Sequence, residues 1–191
     1  MAATLKKDVR KEILVAAREA AMAYGYGGIN FRDLAEAVGI KAASINYYFA
    51  NKAVLGEAVA RRYWEDIARD LDAISAGAQS PMDALRQYPR IFRLSLERDN
   101  RMCLSSFMAT EYDVLPEQVL KEVQTFADVN TAWLCDQLIA AKLVEPKDGE
   151  TKACAIYAAL AGAQIIARSR SDISLFDSLV RSYQEAGLLP N

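Results

Sequence analysis

The chain has 191 residues, 52% apolar and 25% charged, and its few glycines and prolines exclude long disordered tails while leaving ample surface for a buried core. The formal charge of −2 hides an asymmetry: residues 1 to 60 carry eight Lys/Arg against six Asp/Glu and the remainder 15 against 19, a mildly basic head on an acidic body. The absence of histidine, of a glycine-rich phosphate loop, of Gly-x-Ser-x-Gly and of any zinc-type ligand spacing excludes the commonest catalytic and metal chemistry, so no enzyme, metal or cofactor is expected.

Residues 1 to 5 read as frayed. From about Lys6 to Tyr24, Val9, Ile13, Ala17, Ala20 and Tyr24 recur at three- and four-residue steps, one face of an amphipathic helix. Lys6, Lys7, Arg10 and Lys11 on its first turns are either a solvated face or phosphate contacts. Gly25, Gly27 and Gly28 make a turn. Asn30 then caps a short helix with Asp33 in capping-box register; Leu34, Ala35 and Val38 face inward, and Gly39 supplies the positive φ that ends it. A second short helix, about Ala42 to Phe49, turns Ile45 and Phe49 inward and leaves Ser44, Asn46, Tyr47 and Tyr48 outward or at the flank. Two short helices about a glycine turn, roughly residues 30 to 49, form a helix-turn-helix whose second helix suits a DNA major groove.

That run, Phe31-Arg-Asp-Leu-Ala-Glu-Ala-Val-Gly-Ile-Lys-Ala-Ala-Ser-Ile-Asn-Tyr-Tyr-Phe-Ala-Asn-Lys52, resembles the DNA-binding motif of the TetR-type regulators, and the likeness covers about residues 8 to 60. The resemblance implies an all-helical protein whose second domain dimerises and binds an effector. Ala20 and Ala21 stand where that family usually has a Leu-Phe pair, Lys41 where a capping Ser/Thr is usual, and Asn46 where an aromatic is common. The last two departures bear on the operator sequence rather than the fold. Phosphate contacts are assigned to Arg32, Tyr48 and Lys52, and base-edge contacts to Lys41, Ala43, Ser44, Asn46 and Tyr47.

Asn51 caps a long helix from Lys52 to about Ser75, a rigid lever between a DNA-binding domain (residues 1–51) and an effector-binding, dimerising domain (52–191). Pro81 opens a segment to about Arg98 that Pro89 should kink or split. Arg101 to Tyr112 reads as a buried helix, and Pro116 stands at the first position of one running to about Leu143. Helices from about Glu150 to Arg170 and Ser174 to Ala186 complete an all-α chain of about nine helices.

Phe92, Cys103, Phe107, Met108, Tyr112, Phe126, Trp133 and Tyr157 each read as core or as lining of an effector cavity, with Tyr112, Gln137 and Gln164 as its polar contacts. Cys103 is either a small buried hydrophobe or, in Arg101-Met-Cys-Leu-Ser, a thiol activated at a helix start; some TetR-type regulators that sense oxidants have a similar Cys-Leu there. The Ala-rich helix from about 150 offers Tyr157, Ala161 and Ile165, and the last helix Leu175, Leu179 and Tyr183, as an isologous homodimer face. Two-fold symmetry would set two recognition helices about one DNA turn (roughly 34 Å) or slightly more apart on a near-palindromic operator. Three odd cysteines, no signal-peptide pattern and no apolar run of bilayer length suggest a cytoplasmic protein without membrane contact. The expected function is a ligand-responsive repressor released from double-stranded DNA by a small molecule or an oxidant or electrophile. The rival is a helical small-molecule-binding protein with no DNA role.

Overall fold

The computed structural model describes residues 8–191; the stretch expected to fray and the pair Lys6-Lys7 lie outside the described residues. The chain is all-α, with ten α-helical segments and no strand among the described residues. Pro89 accounts for the tenth, because it divides the segment predicted between 81 and 98 into two short helices, so nine remain if that broken pair is counted once.

Helix α1, Val9–Tyr24, begins where the Asp8 carboxylate accepts from Lys11 N–H. It buries Ile13, Leu14, Ala17, Ala21 and Met22 on one face. A 3₁₀ turn, Tyr26–Gly28, leads to α2, Phe31–Val38, and α3, Ala42–Tyr48. The expected cap is present: Asn30 Oδ1 accepts from Arg32 N–H at 2.9 Å and Asp33 N–H at 3.4 Å. Gly39 closes α2 in the left-handed conformation at φ 76°.

Helix α4, Lys52–Gly77, leaves the head and runs through the body, capped by Asn51. Its inward face (Leu55, Val59, Tyr63, Ile67, Leu71) packs along α8, Glu117–Ala140. Helix α8 in turn lies along α9, Gly149–Ser169, and α9 along α10, Ile173–Glu185. Pro116 is the residue before α8 rather than its first, which keeps its fixed φ without spending a helical position. Helices α5, Pro81–Gln87, and α6, Arg90–Glu97, fill one side of the body.

Helix α7, Leu104–Ala109, is shorter than the predicted Arg101 to Tyr112. Two long-range bonds explain its late start. Gln164 Oε1 on α9 accepts from Cys103 N–H at 3.0 Å, while Gln164 Nε2 donates to Phe92 O at 2.7 Å, so residue 103 answers to α9 and not to its neighbours. Asp99 and Asn100, both at positive φ, turn the chain into this approach.

At the centre of the body the Tyr88 hydroxyl donates to Asn130 Oδ1 at 2.9 Å, and Asn130 Nδ2 donates to Phe126 O at 2.8 Å. Both side chains are fully buried, and burial above all pushes the Tyr88 phenol well above its ordinary range. Tyr88→Phe strips a buried carbonyl of its donor, which costs about 1–3 kcal/mol. Urea unfolding should show that loss as a lower midpoint with an unchanged slope; an unmoved midpoint would mean that Asn130 finds another donor.

Candidate nucleic-acid interface

Helix α3 is organised by two anchors. Ile45 is fully buried and Phe49 nearly so, four residues apart on one face. The opposite stripe, Ala43, Asn46 and Tyr47, is exposed at i, i+3 and i+4. Tyr47 projects furthest, at 85% exposure, and its ring meets only Tyr48, edge-on at 5.1 Å. Lys41 and Arg32 are also exposed, and Ser44 and Tyr48 are half-buried. Lys41, where a Ser/Thr would cap, gives the start of α3 no side-chain hydrogen bond. Seven of the eight residues singled out for DNA are thus exposed or half-buried on α2, α3 or the turn between them, with one difference in how the eighth, at the start of α4, is held.

Lys52 is that difference. Its ammonium donates to Gly27 O at 3.3 Å and sits 4.5 Å above the Tyr26 ring. The charge is tied to the turn before α2 instead of reaching freely outward. Arg10 is similarly engaged, its guanidinium 5.0 Å above the Phe49 ring, so at least part of the basic face of α1 braces α3.

The head is fastened to the body at a point that the sequence did not reveal. The Glu111 carboxylate, just after α7, accepts from Tyr26 N–H at 2.7 Å. Gly25 holds φ 69° and ψ −164° there, and a Cβ would fall 2.4 Å from Glu111 Oε2. Only glycine serves both demands. Tyr26 itself packs on Gly56 of α4, where a Cβ would come within 2.7 Å of its ring.

Most of the predicted effector residues are packed against one another. Phe92, Met108 and Phe126 are fully buried, and Cys103 is 2% exposed. Phe126 stacks on Tyr63 at 5.4 Å, and Tyr157 turns its ring toward Phe92 and Phe126 at 6.0 and 6.3 Å. These aromatics fill their own space. Phe107 lies under the Arg168 guanidinium at 4.8 Å. Trp133 stacks on Tyr88 and donates from Nε1 to Ser75 Oγ at 2.8 Å, with Gln137 reaching the same hydroxyl at 3.5 Å. Tyr112 is displaced altogether: it lies in a 3₁₀ turn at 61% exposure, because the helix expected to bury it stops at Ala109. Gln164 is buried, but both ends of its amide are used in joining α9 to Cys103 and Phe92.

A cavity of about 270 Å³ opens elsewhere, between α1, α4 and the α5–α6 pair, and none of the ten predicted pocket residues lines it.

On α9, Ile165 and Ile166 are 45% and 46% exposed, and a Cβ on Gly162 would meet nothing within 4 Å. Ala161, Leu175, Leu179 and Tyr183 are half-buried. Tyr157, placed with them by its spacing, serves the core instead. The three cysteines are free, and no cluster of potential metal ligands occurs among the described residues. No helix of the described residues is long and apolar enough to cross a membrane.

The family described as bacterial regulatory proteins, tetR family, matches residues 13–59. Among solved structures, a TetR transcriptional regulator from Legionella pneumophila is 25% identical, covers 96% of this chain and 99% of its own, and superposes with a TM-score of 0.88. A TetR-family regulator from Agrobacterium tumefaciens is also 25% identical, with 93% and 96% coverage and a TM-score of 0.85. The TetR regulatory protein from Rhodobacter sphaeroides, 21% identical with 94% and 98% coverage, shares the fold at a TM-score of 0.85. No curated protein matches the sequence.

Proposed function

We propose that this chain, whose residues 13–59 match the tetR family of bacterial regulatory proteins, is a homodimeric repressor that leaves its operator when a small molecule binds the helical body. The observation that carries this reading is the exposed stripe of α3 (Ala43, Asn46, Tyr47) standing over the buried pair Ile45 and Phe49. A helix held from behind and bare in front fits a major groove without rearrangement. Lys41, Ala43, Ser44, Asn46 and Tyr47 read base edges, and Arg32 and Tyr48 hold phosphates. Lys52 adds a phosphate contact only by leaving Gly27 O, so its part is smaller than its position implies.

Residues 1–51 act as the DNA-binding domain and 52–191 as the effector and dimer domain. Dimerisation runs through α9 and α10, where Ile165, Ile166 and the open side of Gly162 leave an apolar strip without an intrachain partner. Cys103 is too buried for direct attack by an oxidant, so the release proposed runs through a bound molecule.

Gel shifts against the DNA upstream of the protein's own coding sequence test the reading. The parent should bind one near-palindromic site as a dimer. Ile165→Glu with Ile166→Glu should sediment as a folded monomer and bind that site at least about a hundredfold more weakly, since each half loses the linked second contact. Retained folding and ligand uptake with no DNA binding by the parent would favour a helical carrier instead.

A further inference from the structure

We propose that the effector is a small amphipathic monocarboxylate, bound with its anion among Arg18, Arg90 and Arg98 in the cavity between α1, α4 and α6; this rests on the regulatory reading above and gives it a ligand class and a site. Three observations converge on it.

The first is charge. Three guanidiniums line the cavity against one carboxylate, Asp70. Asp66, just outside the lining, takes Nη1 of Arg18 at 3.1 Å and is shared with Arg69, so positive charge remains in excess even when it is counted. The second is unspent donors. The side chains of Arg90 and Arg98, both solvent-exposed, make no hydrogen bond or ion pair among the described residues, so an anion would displace only water from them. Arg18 Nε is buried without a partner. A buried guanidinium N–H left empty is costly, and a planar carboxylate is the anion whose two oxygens match its fork. The third is the remaining wall. Met22, Ile67, Ile74, Ile91 and Leu94 are apolar, and Leu94 stays 39% exposed for want of cover. An apolar body under the carboxylate would shield that surface. The volume, about 270 Å³, lies at the small end of ligand pockets, which limits the body to one aromatic ring or a short alkyl chain.

The position supplies the coupling. Arg18 and Met22 belong to α1 of the head, while Tyr63, Ile67, Asp70, Ala73 and Ile74 belong to α4 and the rest to α5, α6 and the residue Arg98 that caps α6. A carboxylate competes with Asp66 for Arg18, whose guanidinium is otherwise held 4.9 Å above the Tyr63 ring. Binding therefore exchanges a contact between α1 and α4 for one between α1 and the ligand. The ligand shifts DNA occupancy by its preference for that second arrangement.

Calorimetric titration of the full-length protein with benzoate, phenylacetate and octanoate, each beside its uncharged amide, tests the proposal. At least one acid should bind while its amide does not, and the same acid should weaken operator binding. Arg90→Ala with Arg98→Ala should weaken acid binding about tenfold or more, leaving operator affinity without ligand unchanged. Leu94→Trp, which fills the cavity from its rim, should abolish acid uptake and keep DNA binding. The proposal is overturned if no acid binds, if acid and amide bind alike, or if both variants take up the acid as the parent does. A parent that binds acids but no DNA would instead sink the regulatory reading and leave the carboxylate site standing.

Discussion

Tyr47→Ala and Asn46→Ala should each weaken operator binding by about tenfold to a hundredfold, because a base-edge contact is worth roughly 1–3 kcal/mol and about 1.4 kcal/mol is a factor of ten. Neither should disturb folding. Tyr47 is 85% exposed with its ring edge-on to Tyr48, so its removal belongs with surface substitutions, which stay within about 0.5 kcal/mol. The two kinds of contact separate by their behaviour on random DNA. Asn46→Ala should lose affinity for the operator and little for a scrambled duplex. Arg32→Ala should weaken both alike and reduce the salt dependence by about one unit of slope. Fluorescence anisotropy on both duplexes across a salt series reads all of this. If Tyr47→Ala bound the operator as tightly as the parent, α3 would not be the reading helix.

Phe126→Ala should remove about 3–5 kcal/mol of stability, a large part of the 5–15 kcal/mol that holds a domain together. The ring is fully buried and sits where three helices meet: it stacks on Tyr63 of α4, at 23° between planes, and tilts toward Tyr157 of α9. Neither neighbour is free to follow it into the hole. Tyr63 also carries the Arg18 guanidinium over its ring, and Tyr157 also meets Phe92. Chemical unfolding followed by tryptophan emission measures the change. A loss below about 1 kcal/mol would show that the α4–α8–α9 seam collapses to fill the space.

The head was legible because its determinants are local. Asn30, Gly39 and the three- and four-residue spacing of Leu34, Val38, Ile45 and Phe49 act within a turn or two of themselves, and the structure uses each as its neighbours require. Pro89 was legible for the same reason. The body's ligand space was not, because it depends on partners far along the chain. Arg18 meets Asp66 48 residues away, and Cys103 is drawn from its helix by Gln164, 61 residues on. Aromatic residues at helical spacing carry no mark that separates filling a core from lining a hollow. Tyr112 did carry a warning: Glu111 and Asp113 on either side of it are hard to bury together. Arg18, Arg90 and Arg98 carried none, since isolated arginines on amphipathic helices look like any solvated face.

The Glu111 carboxylate on the Tyr26 N–H has a mechanical meaning. The head meets the body at the start of α4, through this bond and through Arg18 on Asp66, so drawing Arg18 away leaves two joints. An object pinned at one corner swivels in every direction; pinned at two, it can only rock about the line between the pins. A push on α1 would then turn α3 about that line rather than in every direction.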